Sequence, residues 1–192
     1  MIDEAEPVSV AIQVVAELDR LNIDYLVGGS IASSVHGRPR TTEDADLVAK
    51  VEDRHVEHLV RDLEGEFYVE ADMIRDAIRD RASFNLIHLE SMLKVDIFVF
   101  RGDAFSADEM RRRIAIPLRG QKVWFASPED IVLQKLDWYR QGGGVSERQW
   151  RDVVGVLQVQ GERFDLTYAR SWAARLALAD LLERAVVEST RP

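Results

Sequence analysis

The sequence predicts an α/β protein in which a small mixed sheet with helices is followed by a helical C-terminal part. Three observations carry that expectation. Short β-branched and aromatic runs alternate with segments of helical apolar spacing through the first two thirds of the chain. Two of the runs, 44–48 and 93–100, hold isolated acids among apolar neighbours. After Phe125 the texture changes to long segments with helix-start signals and no further strand pattern.

The elements follow in order. Val8, Ile12, Val15 and Leu18 recur at helical spacing and predict a helix over 8–21. Tyr25-Leu26-Val27 is a short strand ending at Gly28-Gly29, after which Ser30 is expected to cap a second helix. His36-Gly37-Arg38-Pro39-Arg40 breaks that helix and leads into a strand beginning at Asp44. Segments 56–63 and 71–78 read as helices, with a short strand at 67–69 between them. Strands at 84–88 and 93–100 form a hairpin-like pair around Glu90-Ser91, and Val123-Trp124-Phe125 is the last strand. Ser127-Pro128-Glu129-Asp130 is a strong helix start, with a capping hydroxyl, a proline in the first turn and acids where the helix dipole favours them. That helix should run to about Arg140, where Gly142-Gly143-Gly144 stops it. Ser146 opens another from Glu147 to about Val159, and a last one runs from Asp165 or Thr167 through Leu182. The expected division is 1–126, an α/β core, and 127–192, a helical subdomain.

The chemistry concentrates in the strands. Asp44 and Asp46 are two apart, so in an extended strand both point to one face while Ala45 and Leu47 turn inward. Asp96 is the single acid of a dense apolar strand and needs a partner, a metal or a cation, to offset desolvation. If its strand lies beside that of Asp44, opposed side chains are about 5 Å apart and three carboxylates can meet Mg²⁺, a hard cation that favours oxygen ligands. Gly28 and Gly29 let the backbone approach a ligand closely, and the amides opening the Ser30 helix can hold a phosphate.

Composition permits this reading. The 192 residues, 46% hydrophobic and 31% charged, suffice for one good core with a small helical appendage. There are no cysteines, which excludes disulfides, thiolate zinc sites and cysteine nucleophiles and points to a reducing cytoplasm. No apolar run approaches a membrane span, and the acidic start, Met1 to Glu6, is unlike a signal peptide. A net charge of −9 argues against a broad surface for coating nucleic acid, although Arg111-Arg112-Arg113 with Arg119 and Lys122 forms a local basic segment.

Gly29-Ser30, Asp44-x-Asp46 and the strand-borne Asp96 resemble the DNA polymerase β-like nucleotidyltransferase superfamily. Arg40-Thr41-Thr42-Glu43-Asp44-Ala45-Asp46, Leu93-Lys94-Val95-Asp96, Lys135-x4-Arg140 and Arg151-Asp152 look like four successive motifs of the abortive-infection nucleotidyltransferase toxins of type IV toxin-antitoxin systems and their uncharacterised relatives. They stand in family order over roughly positions 24 to 155. One departure is Arg151, where the toxins commonly carry a lysine before the final acid.

The resemblance implies a metal-dependent enzyme that moves a nucleoside monophosphate from a nucleoside triphosphate to a hydroxyl acceptor, releasing pyrophosphate. It implies Mg²⁺ or Mn²⁺ on Asp44, Asp46 and Asp96, and nucleotide binding by Gly28, Gly29, Ser30, Arg40, Thr42 and Lys135. It also gives Lys135 and Asp152 a place in catalysis, whereas their spacing alone permits a simple interhelical ion pair. The acceptor is tRNA or a small molecule such as an antibiotic, and a cognate antitoxin is an implied partner. The alternative is a catalytically inactive nucleotide- or protein-binding module of the same fold.

Other signals take ordinary readings. His55 and His58 are three apart on a helix and are expected at the surface. The glycine triplet lacks the Gly-Lys-Ser/Thr of a phosphate loop and reads as a turn, and no Gly-x-Ser-x-Gly elbow is present. Trp124, Trp138, Trp150 and Trp172 suit packing better than base stacking, and Lys94 is expected in solvent.

Overall fold

The computed structural model describes residues 6–190, so the first five residues of the acidic start fall outside the described part. Two compact units are present: one of residues 6–31 and 41–125, the other of residues 32–40 and 126–190.

The first unit is built on a seven-stranded mixed sheet of order β3-β4-β5-β2-β1-β7-β6. Its strands are β1 (Tyr25–Val27), β2 (Asp44–Ala49), β3 (Phe67–Tyr68), β4 (Ser83–His88), β5 (Lys94–Val99), β6 (Ile114–Leu118) and β7 (Gln121–Phe125). The helix α1 (Glu6–Arg20) lies against β2 and β5, and α3 (Asp53–Leu63) and α4 (Ala71–Asp80) continue that layer. Strand alternation explains the burial. Ala45, Leu47 and Ala49 of β2 and Val95, Ile97 and Val99 of β5 are buried under the helices, and the residues between them are half-buried on the other face. β2 and β5 run parallel, while β1 and β4 flank them antiparallel.

Two elements here go beyond the expected ones. α5 (Ala104–Arg112) and β6 occupy the stretch that reads as a basic segment. Asp103 caps α5 by accepting from the Ser106 amide at 2.8 Å. β6 is an edge strand with little inward-facing apolar pattern and with Pro117 in it, which a strand tolerates only at an edge.

The second helix, α2 (Gly29–His36), begins one residue earlier than expected, so Ser30 lies inside the first turn and is not the cap. In the second unit, α6 (Pro128–Gln141), α7 (Glu147–Gln160), α8 (Leu166–Arg175) and α9 (Ala179–Ser189) pack on one another. Ser127 caps α6 as its sequence predicts, accepting from the Asp130 amide at 3.2 Å. Its hydroxyl donates to Asp130 Oδ2 at 2.6 Å, and Tyr168 of α8 donates to Oδ1 at 2.7 Å. The expected single last helix is two, divided at Leu176–Leu178, where Ala177 takes a left-handed φ of 57°. The expected surface role of His55 also fails: it is buried, and its Nδ1 accepts from the Glu52 amide at 3.0 Å, completing a capping box at the start of α3.

Candidate active site

In the first unit the parallel register sets Asp46 directly opposite Asp96 and Asp44 opposite Lys94. All four side chains leave the half-buried face, and the cross-strand neighbour of Asp96 on β4 is Asn85. β1 lies on the other side of β2, where the Gly28 amide donates to the Asp46 carbonyl at 2.8 Å. The next residue, Gly29, opens α2 with a φ of 55°. A β-carbon at Gly29 would stand 1.8 Å from Asp46 Oδ2, so glycine alone lets the helix start against the acid. The loop, the helix N-terminus and the acidic face thus adjoin through backbone contact. Ser30 is in the first turn of that helix.

Each acid has local support. Thr42 donates its hydroxyl to Asp44 Oδ1 at 2.8 Å, fixing that carboxylate before the strand begins. Lys94 places its Nζ 2.7 Å from Asp96 Oδ2. The hydrogen bond that Lys94 donates to Asp96 holds its ammonium above its ordinary range against a smaller effect of burial, and the nearby charges of Asp96, Asp44 and Asp46 add to it. The cation that a strand-borne acid requires is here supplied by the chain. Lys94 is 44% exposed, as its sequence reading expects, and its contact with Asp96, which that reading did not include, was signalled by the i, i+2 spacing.

Among the described residues, no group of three histidine, aspartate or glutamate side chains is arranged to hold a metal ion as it stands. Asp44 is instead bonded to Thr42 and Asp96 to Lys94. The donor set nevertheless fits Mg²⁺ or Mn²⁺ in kind: three carboxylates on one sheet face, two of them directly opposed across the strands.

The second unit brings together Arg40, Lys135 and Asp152. Asp152 on α7 accepts from Arg40 Nε at 2.8 Å and Nη2 at 2.9 Å, a two-pronged grip, and from Lys135 Nζ at 2.7 Å. Lys135 of α6 is 1% exposed and also donates to Gln149 Oε1 at 3.2 Å. Burial pushes the Asp152 carboxyl upward, but Arg40 and Lys135 together outweigh it and hold the group below the ordinary carboxylate range. Arg151, beside Asp152, is exposed. His36, at the end of α2, is buried with Nε2 2.8 Å from the Ala126 carbonyl, and burial holds its imidazole below its usual range.

A separate polar cleft of about 210 Å³ in the first unit is lined by Asp19, Asp24, Tyr25, Arg113 and Trp124, among others. Tyr25 pairs with Ala49, so the cleft lies at the end of β2 opposite to Asp44. Arg113 stacks over Trp124 and donates to Asp24 at 2.9 Å there. No helix among the described residues is long and apolar enough to cross a membrane.

No family model and no curated protein matches the chain. Solved structures do. An antigenic nucleotidyltransferase-like protein from Paracoccidioides brasiliensis is 20% identical, with 94% of this chain and 92% of that one covered and a TM-score of 0.55. The antibiotic-resistance factor ANT(2'')-Ia is 17% identical over 92% of this chain and 96% of its own, with a TM-score of 0.57. The lincosamide antibiotic adenylyltransferase LnuA, bound to lincomycin, is 13% identical over 78% and 95%, with a TM-score of 0.52. At such identities the likeness is one of architecture, and by its mixed sheet, its helices and these neighbours the chain has the nucleotidyltransferase fold.

Proposed function

We propose that this protein is a metal-dependent nucleotidyltransferase that moves a nucleoside monophosphate from a nucleoside triphosphate to a hydroxyl acceptor. The observation that carries the reading is the register of β2 and β5, which sets Asp46 against Asp96 with Asp44 on the same face and the Gly29 helix start alongside. In the reaction the acceptor oxygen attacks the α-phosphorus, the bond between the α-phosphorus and the bridging oxygen breaks, and pyrophosphate leaves. Asp96 takes the acceptor proton. The amides opening α2, with Ser30, hold the β- and γ-phosphates. Thr42 keeps Asp44 facing the phosphates. Asp44, Asp46 and Asp96 would hold Mg²⁺ or Mn²⁺, which would supply charge neutralisation at the transferred group and acidify the acceptor hydroxyl. Lys135 and Asp152 enter this reading only by resemblance, since their charges are engaged with each other and with Arg40.

For the acceptor, a compact hydroxyl compound is favoured over tRNA. The supporting observations are the net charge of −9 and the fold neighbours, two of which are antibiotic-directed enzymes. The test is transfer of label from α-labelled nucleoside triphosphates, with Mg²⁺, into a panel of small hydroxyl compounds and into tRNA. Label is expected in a small compound, and Asp46→Ala should abolish it while circular dichroism stays unchanged. Label in tRNA, together with growth arrest on expression of the parent and not of the variant, would instead support the toxin reading and a cognate antitoxin. Absence of transfer to any acceptor would support an inactive module.

A further inference from the structure

The acidic face holds a residue that a bare cation site would not include. Lys94 precedes Asp96 by two positions, so both leave the same face, and across the parallel pairing Lys94 stands opposite Asp44 while Asp96 stands opposite Asp46. Three carboxylates and one ammonium therefore form the corners of a single cross-strand quadrilateral. The ammonium lies 2.7 Å from Asp96 Oδ2, on the carboxylate that a cation shared with Asp46 would have to use. An ammonium and a divalent cation compete for such oxygens, and each repels the other at close range.

The pair is also placed so that it can be exchanged. The Lys94 side chain is 44% exposed while that of Asp96 is 14%, so the ammonium can swing into water and leave a largely covered carboxylate that then requires another cation. From this geometry we infer that Lys94 is an internal counter-ion that occupies Asp96 and makes loading of the divalent cation depend on the nucleoside triphosphate. The inference rests on the reading of Asp44, Asp46 and Asp96 as the cation-binding face. A cation arriving alone must displace the ammonium and then sit beside it. A triphosphate arriving with the cation brings several negative charges, to which the released ammonium can turn. The lysine thus suppresses idle occupation of the acids by metal and couples their filling to substrate.

The experiment measures Mn²⁺ binding to the full chain by the electron paramagnetic resonance of free Mn²⁺, with and without a non-hydrolysable nucleoside triphosphate analogue. The proteins are the parent, Lys94→Met, Lys94→Gln and Asp46→Asn, each checked for folding by circular dichroism. Without the analogue, Lys94→Met and Lys94→Gln should bind Mn²⁺ on the order of tenfold more tightly than the parent. With the analogue present, the gap should narrow to about twofold or less. Affinity that is unchanged or weaker in both lysine variants, while Asp46→Asn abolishes binding, would overturn the counter-ion role and leave the cation site standing. Failure of every protein to bind Mn²⁺, with or without the analogue, would overturn the role together with the site.

Discussion

Two lysine–aspartate pairs in this protein have the same length and opposite settings. Lys94 meets Asp96 at 2.7 Å on the sheet face of the first unit with the lysine side chain 44% exposed. Lys135 meets Asp152 at 2.7 Å in the second unit with the lysine side chain 2% exposed. Arg40 and Gln149 complete the second group, in which one carboxylate faces two cations. Distance alone therefore says nothing of what such a pair does. The exposed pair can exchange its cation for another, whereas the buried one braces α6 against α7, because either charge left behind would be stranded out of water.

The largest effect should come from breaking the buried group. Asp152→Ala strands the Lys135 ammonium and should lower stability by about 3–5 kcal/mol in urea unfolding followed by tryptophan emission, since Trp138, Trp150 and Trp172 all lie in the second unit. Lys135→Met should cost less, because Asp152 keeps its two bonds from Arg40, and the double variant Lys135→Met with Asp152→Leu should regain much of the loss of Asp152→Ala, because only the part-exposed Arg40 is then left without the carboxylate. A loss below about 1 kcal/mol in Asp152→Ala would mean that water reaches the pair.

Gly29→Ala comes next. Its β-carbon meets Asp46 Oδ2 and its φ of 55° is left-handed, so about 1–3 kcal/mol of stability should be lost as backbone strain. Displacement of Asp46 should also lower nucleotidyl transfer on the order of a hundredfold. Transfer within a factor of two of the parent would detach the helix start from the acidic face.

Acidification tests two groups of the second unit. His36 and Asp152 both have folded-state affinities for protons below those of the unfolded chain. Their contributions are thus present at neutral pH and are lost on acidification, beginning near the ordinary histidine pKa of about 6.5 and then near the ordinary aspartate pKa of about 3.9. Chemical denaturation across that range should show stability falling as pH falls, and His36→Gln should reduce the earlier part of the decline, to which the buried His55 also contributes. A flat profile between pH 7 and 5 would contradict the burial of a neutral imidazole.

The smallest effect should be that of Lys94→Met on folding, under about 1 kcal/mol, measured as the urea midpoint. A loss comparable to that of Lys135→Met would show that the two pairs are of one kind.

How much of this was legible differs by element. The Asp44, Asp46 and Asp96 face could be read because strand alternation is a property of the local chain, and Ser127-Pro128 announced α6 through capping chemistry that is equally local. The parallel pairing that sets Asp46 against Asp96 is a long-range fact that only the folded sheet supplies. α5 did carry a signal in Asp103 at its start and Arg111 and Arg112 at its end, but the run of arginines read more readily as a charged patch. The break between α8 and α9 carried none, since Ala177 adopts a left-handed conformation with no glycine or proline to mark it. The clasp of Arg40 on Asp152 joins residues 112 positions apart, and Arg40 on its own suggested only a turn or a nucleotide contact.

Gly29 has a bearing on how this molecule can change over generations. Because the β-carbon of any other residue there would press on Asp46, that position is closed to substitution, whereas Asn85 on β4, the cross-strand neighbour of Asp96, is exposed and open to exchange. The spot where helix and acid touch is a fixed pivot of the chain.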